Sequence, residues 1–140
     1  MNETFDTCHQ HSEERTHKQV LVIRKDLKMR QGKAVSQGSH AALAGALSRS
    51  YVQDNELRIP LDADVGPWLL GRFTKTVVHV PDEASLLAIH KQAQDAGLPC
   101  ALIQDAGLTE FKGVPTYTAV AVGPALKEKV DRITGHLPLL

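Results

Sequence analysis

The sequence concentrates positive charge in one short segment that could bind phosphate. Residues 24–33 hold five cations: Arg24, Lys25, Lys28, Arg30 and Lys33. Lys33 follows Gly32 directly, where an apolar stretch gives way to small residues typical of a helix. Amide groups at the start of a helix attract anions, and a lysine there adds a full charge. Lys33 is therefore a candidate phosphate ligand, whereas Lys25 and Arg30, taken one at a time, are more simply interpreted as solvated loop residues.

The same segment does not match the phosphate-binding loop of nucleotide hydrolases. That motif requires Gly where this chain has Leu27. It also requires Ser or Thr, as a magnesium ligand, where this chain has Ala34. Nucleotide hydrolysis is therefore disfavoured.

A second polar segment, residues 105–115, follows another apolar run and carries Asp105, Thr109 and Lys112. Ligands of α/β proteins collect beyond the carboxyl ends of strands. If the strands that precede the two polar segments are neighbours, Lys33 and Asp105 meet at the edge of the sheet. Alternatively, Asp105 only caps backbone amides in an Asp-Ala-Gly turn.

Four further polar side chains lie on the elements next to these segments: Gln37, His40, Thr116 and Thr118. His40 lies among alanines on a helix, and we expect a packing residue hydrogen-bonded to Gln37, one turn earlier. Thr116 and Thr118 alternate along a strand and share a face, which β propensity alone explains. The residues by themselves therefore predict an α/β domain with a phosphate-attracting helix start and one nearby acid.

Hydrophobic patterning predicts the elements that position these residues. The predicted strands are 19–24, 74–80, 99–104 and 116–124. The predicted helices are 32–50, a short one within 68–73, 82–97, and 124–134 with Pro124 in its first turn. This order favours a single α/β domain in which helices flank both faces of a mixed four-stranded sheet.

The composition is ordinary for a globular protein and carries no net charge, so anion binding must come from local charge. Residues 1–17 are polar and aperiodic, which predicts a disordered tail before a domain over 18–140. Within the tail, Cys8, His9 and His11 are only a weak metal-binding signal. No apolar segment has membrane-spanning length, and the two cysteines have dissimilar surroundings. We therefore expect no membrane association and a reducing, cytoplasmic location.

Four stretches of the chain, in order, resemble the type-2 peptidyl-tRNA hydrolases, the archaeal and eukaryotic kind. They are VLVIRKDLKMRQGK, SQGSHAA, LIQDAGLT and VAVGPALKEKVDRITGHLPLL. The similarity extends from residue 19 to residue 140 and includes Gly-Lys, Gln-x-x-His-Ala-Ala, Asp-Ala-Gly-x-Thr and Thr-Gly-His-Leu. The resemblance implies a mixed four-stranded sheet flanked by helices, a homodimer, and chemistry that needs no metal or cofactor.

Enzymes of that family cleave the ester that joins a peptide to the terminal ribose of tRNA. The resemblance places the family's functional residues at Lys33, Asp105, Thr109 and Thr118. Ester hydrolysis needs a positioned water and a donor for the developing oxyanion, so our hypothesis is that Asp105 orients or deprotonates the water. Lys33 would keep Asp105 ionised and stabilise negative charge, either on the oxyanion or on a terminal phosphate, and Thr109 and Thr118 would supply positioning hydrogen bonds. With tRNA as the partner, the implied substrate-binding residues are Lys25, Lys28, Arg30, Gln37, His40 and Thr116.

Two other functions remain open on the sequence. A non-catalytic member of the fold would bind RNA or a protein, although it would not need Lys33, Asp105 and Thr109 together. A hydrolase of a smaller acyl ester would need fewer cations. This chain has Arg30-Gln31 where the family usually has Gly-Lys, and Leu108 where a basic residue is common. A steep dependence on salt would indicate tRNA, and a flat one a small substrate.

Overall fold

The computed structural model describes residues 15–140 and shows six strands and four helices in that range. The strands are β1 (His17–Arg24), β2 (Tyr51–Gln53), β3 (Glu56–Arg58), β4 (Lys75–Val80), β5 (Cys100–Asp105) and β6 (Thr116–Leu126). The helices are α1 (Gln31–Ala46), α2 (Gly66–Leu69), α3 (Glu83–Asp95) and α4 (Lys127–Thr134). Within this part of the chain, none of the helices combines the length and the apolar character needed to cross a membrane.

Four of the strands form one mixed sheet in the order β4-β1-β6-β5. β1 pairs with β4 in parallel, and β6 is antiparallel to both of its neighbours, β1 and β5. β1, β4 and β5 therefore run in one direction and β6 runs in the other. As a result, Arg24 at the end of β1, Asp105 at the end of β5 and Thr116 at the start of β6 share one edge of the sheet, which we call the site edge.

The two faces of the sheet are covered by different helices because side chains alternate along each strand. Val20 and Val22 of β1 pack in the cluster formed with α3 and α4. Leu21 and Ile23 lie on the opposite face, in the cluster formed with α1. The predicted fold class, a single α/β domain with a mixed four-stranded sheet flanked by helices on both faces, is confirmed.

Most predicted boundaries differ from the observed ones by one to three residues, and three elements need a fuller correction. Helix α1 ends at Ala46, before the predicted end, and a turn leads from there into β2. Pro124 lies inside β6 and not in the last helix, because the strand ladder continues past it, with Ala125 still paired to Lys18. The short helix α2 begins earlier than predicted, with Pro67 in its first turn.

The predicted tail, residues 1–17, falls mostly outside the described residues. Cys8, His9 and His11, the weak metal-binding signal, lie outside them as well. Of the segment predicted as tail, the structure describes 15–17, and His17 already pairs with Leu126 in the sheet.

Candidate active site

Lys33 lies in the first turn of α1, which starts near the site edge. The helix begins at Gln31, after Arg30, whose extended backbone precedes the first turn. Close packing of α1 on the sheet depends on Gly45, because a Cβ there would lie 2.9 Å from the Cβ of Ala121. The small residues of α1 thus hold the helix against the sheet and fix where its first turn lies.

Lys33 joins the two segments that sequence reasoning marked as polar. Its Nζ donates to Oδ1 of Asp105 at 2.8 Å and to Oγ1 of Thr109 at 2.9 Å. The lysine and aspartate side chains are only 14% and 15% exposed. β1 and β5 are not neighbours, since β6 lies between them. The two side chains nevertheless meet, because Lys33 reaches the end of β5 from α1.

The carboxylate of Asp105 accepts hydrogen bonds on both oxygens. Oδ1 accepts from Lys33 and, at 3.4 Å, from Nε2 of Gln37, while Oδ2 accepts the backbone N–H of Gly107 at 2.8 Å. The ion-paired hydrogen bond from Lys33 is the main cause that lowers the pKa of Asp105 below its ordinary value, against an opposing contribution from burial. The bonds from Gly107 and Gln37 add to the lowering. Asp105 is therefore an anion at neutral pH.

A buried pair orients one of these donors. The hydroxyl of Thr118 on β6 donates to Oε1 of Gln37 at 2.5 Å, and this bond turns Nε2 of Gln37 toward Asp105. Thr118 is fully buried and Gln37 nearly so. The hydroxyl of Thr118 therefore reaches Asp105 only through Gln37, and its side chain is closed to solvent.

Comparison with known proteins identifies the family. A family model described as "Peptidyl-tRNA hydrolase PTH2" matches residues 17–140. The chain belongs to this family. The peptidyl-tRNA hydrolase of Methanocaldococcus jannaschii is 45% identical over 123 residues, which are 88% of this chain and 99% of the relative. That of Methanopyrus kandleri is 39% identical over 124 residues, 89% of this chain and 98% of the relative. The probable peptidyl-tRNA hydrolase 2 of Drosophila melanogaster is 42% identical over 123 residues, 88% of this chain and 61% of the relative.

The side chains of His40 and Thr116, which the PTH2 resemblance indicated, form no hydrogen bond with Asp105, Lys33 or Gln37. His40 is exposed, and its ring lies 3.5 Å from the hydroxyl of Ser36. The predicted bond between Gln37 and His40 is wrong, because the Gln37 amide points into the sheet and is used by Thr118 and Asp105. The hydroxyl of Thr116 donates to the carbonyl of Val114, although the backbone of Thr116 lies opposite Asp105 in the pairing of β5 with β6. Nowhere in residues 15–140 do three or more His, Cys, Asp or Glu side chains form a group that could hold a metal ion.

The cations of the loop before α1 divide into two kinds. Arg24 makes a bidentate ion pair with Asp26, and Arg30 pairs with Glu110 at 2.9 Å. Two lysines, Lys25 and Lys28, are exposed and pair with no acid in the described part of the chain. The loop therefore carries less free charge than its composition suggests.

Sequence reasoning did not identify two contacts that hold the loop after β5 in place. The ring of Phe111 lies 5.6 Å from Nζ of Lys33, within the range of a cation–π interaction. Glu110 carries the ion pair that ties this loop to the start of α1. No local pattern marks these residues, because both contacts join segments about 80 positions apart in the sequence.

Proposed function

We propose that this protein hydrolyses the ester bond between tRNA and the peptide of peptidyl-tRNA, and so recycles tRNA in translation. The observation that carries the proposal is the ionised Asp105, held by Lys33 at the site edge of a chain that belongs to the PTH2 family. Curated relatives named peptidyl-tRNA hydrolase match this chain over nearly their whole length. A binding module would not need Lys33, Asp105 and Thr109 together.

In this mechanism Asp105 prepares the attacking water. Its Oδ2 accepts only one hydrogen bond from residues 15–140, which leaves a lone pair free for water. Water attacks the ester carbonyl carbon and passes its proton to Asp105. The C–O bond to the ribose then breaks, and the departing ribose oxygen receives that proton. An ester has an adequate leaving group, so no covalent nucleophile is needed.

Lys33 has a separate task in the same step. Its ammonium group has three N–H donors, of which two bind Asp105 and Thr109. The third is available to the oxyanion that forms on the carbonyl oxygen. Thr109 fixes the direction of the ammonium group, and the Thr118–Gln37 pair fixes the carboxylate.

The tRNA backbone is proposed to contact the free cations of the loop before α1. If Lys25 and Lys28 each contact a phosphate, log KM for N-acetylaminoacyl-tRNA should rise by about 1.5 per tenfold increase in salt, from roughly 0.7–0.9 per contact. Lys25→Ala should lower that slope by roughly 0.7–0.9, the contribution of one phosphate contact. Lys129 is an exposed lysine on α4, and Lys129→Ala should leave the slope unchanged. A flat salt profile of the wild type would favour a small acyl ester as the substrate.

We further propose that the protein is a homodimer whose interface is formed by the outer face of α1. Val35 and Leu43 lie two helical turns apart on that face and are 64% and 63% exposed. Beside Leu43 lies an apolar cavity of about 310 Å³ lined in part by Trp68. Sedimentation of the wild type should give twice the mass of the chain. Leu43→Glu should convert the dimer to a monomer, whereas Leu57→Glu on β3 should leave the dimer intact. A wild type that sediments as a monomer at tens of micromolar would contradict the proposal.

The proposed substrate also implies where the protein acts. Peptidyl-tRNA forms on ribosomes, so we propose that the enzyme is cytoplasmic. The free thiol of Cys100 suits a reducing compartment. Cell fractionation that places the protein outside the cytoplasm would contradict this.

A further inference from the structure

A cavity of about 410 Å³ lies beside the first turn of α1 and is not used by the ester chemistry. It is formed by the end of β1, the loop that follows, the start of α1 and the last residue of the chain. None of Lys33, Asp105 and Thr109 lines it. Its lining nevertheless includes Ala34, the residue directly after Lys33, so the cavity and the ester site share one helical turn.

The lining combines apolar surface with positive charge. Ile23 is buried, and Met29 and Ala34 are half-buried, so these side chains supply an apolar floor. Lys25 and Lys28, both exposed, also line the cavity. Neither lysine is paired with an acid of residues 15–140, whereas the neighbouring arginines are both neutralised by ion pairs. The unpaired positive charges of this loop, those of Lys25 and Lys28, therefore lie at the cavity.

This combination fits a nucleotide better than a peptide side chain. The volume lies within the range of small-molecule sites, roughly 300–1,000 Å³. A base has an apolar π-face that can lie on aliphatic and thioether groups, and its phosphate would neutralise the lysines. An apolar side chain of the peptide would leave both ammonium groups without a partner.

We propose that this cavity binds a nucleotide, with its base on Ile23, Met29 and Ala34 and its phosphate between Lys25 and Lys28. The choice of occupant rests on the proposed function: we infer that the nucleotide is the one at the acylated end of tRNA. Seating that nucleotide next to Lys33 would bring the ester that it carries toward Asp105. The cavity thereby gives an enzyme with few aromatic side chains a way to hold an unpaired base.

Binding can be tested with adenosine 5′-monophosphate and the ¹⁵N-labelled wild-type protein. AMP should shift the amide resonances of the cavity residues, and inorganic phosphate should shift those of the lysine loop alone. Ala34→Leu fills the floor and should abolish the AMP shifts, whereas Ala88→Leu, an exposed position of α3 on the other face of the sheet, should keep them. Lys28→Asn is a second variant, which removes one of the two ammonium groups proposed to bind the phosphate. Asn suits this position because Lys28 has φ = 50° and Asn tolerates that conformation.

Three results would overturn the inference: no AMP shifts in the cavity, the same shifts with phosphate alone, or shifts that persist in Ala34→Leu. Shifts produced in the cavity by an N-acetylamino acid amide, and not by AMP, would show that the cavity takes the peptide. None of these results depends on catalysis, so the nucleotide site is tested even if no ester is cleaved.

A kinetic measurement separates the end of tRNA from a free nucleotide. Ala34→Leu should raise KM for N-acetylaminoacyl-tRNA about tenfold, which corresponds to ~1.4 kcal/mol of binding, and should change kcat far less. Ala88→Leu should change neither constant. If AMP binds but Ala34→Leu leaves KM unchanged, the tRNA end does not occupy the cavity, and that part of the inference is wrong.

Discussion

Asp105→Asn is expected to reduce single-turnover ester hydrolysis by about 10²–10⁴-fold, the range for loss of a general base. The amide has nearly the same shape, and its oxygen can still accept the bond that Gly107 now donates to Oδ2. It has no charge, however, and it binds the proton of water poorly. The loss should therefore fall on kcat, while affinity for tRNA and the midpoint of thermal unfolding change little.

The matched control is Asp95→Asn, an exposed aspartate at the end of α3 whose ion-pair partner is Lys91. It removes the same charge from the other face of the sheet and should retain full activity. Asp105→Asn with activity within threefold of the wild type would exclude Asp105 as the group that activates water.

Lys33→Met is expected to lower kcat by about a hundredfold, as seen when one oxyanion donor is removed, and also to change the pH profile. The hydrogen bond and charge of Lys33 lower the pKa of Asp105, so the wild-type carboxylate stays ionised to unusually low pH. Activity that needs this anion is present above that pKa and is lost as the pH falls through it. Without Lys33 the pKa rises, and the acid limb of kcat/KM moves to higher pH.

Lys91→Met on α3 provides the control, because it removes an exposed lysine that is paired in the same way with a neighbouring aspartate. Its pH profile should match that of the wild type. If Lys33→Met lowered the rate but left the acid limb in place, Lys33 would act on the oxyanion alone and would not hold Asp105 ionised.

Most of the fold could be predicted from the sequence because local patterns determine it. The apolar run of β1 fixes a buried strand whose alternate side chains face different helices. Asp82 is of a residue type that caps helices, and its carboxylate accepts the amide of Ser85 at the start of α3, at 2.8 Å. Gly97 follows that helix at φ = 71°, the left-handed conformation that glycine favours.

The β2–β3 hairpin was missed for a physical reason. Almost every one of its side chains is exposed or nearly so, so no apolar alternation marks the two short strands. The available signal was the turn: Asp54 and Asn55 lie at φ = 53° and 60°, as a two-residue hairpin loop requires. Asp-Asn between two short segments would have indicated the hairpin.

In the candidate site, the sequence indicated the residues but not all of their contacts. For Gln37 a local pattern suggested His40, yet its partner is Thr118, 81 positions away on β6. Burial decides the choice, since the amide turns toward the sheet while His40 stays in solvent. Likewise Phe111 reaches Lys33 only through the fold of its loop. Contacts of this kind depend on tertiary packing, which periodicity does not encode.

We expect the wild-type protein to cleave the ester of peptidyl-tRNA. The most direct measurement is single-turnover release of an N-acetylated amino acid from its tRNA by the purified full-length protein in excess over substrate. We expect complete release at a rate far above spontaneous hydrolysis, with the tRNA left intact. No release above that background, while the protein still binds tRNA at low salt, would contradict the hydrolase and leave a tRNA-binding member of the PTH2 family.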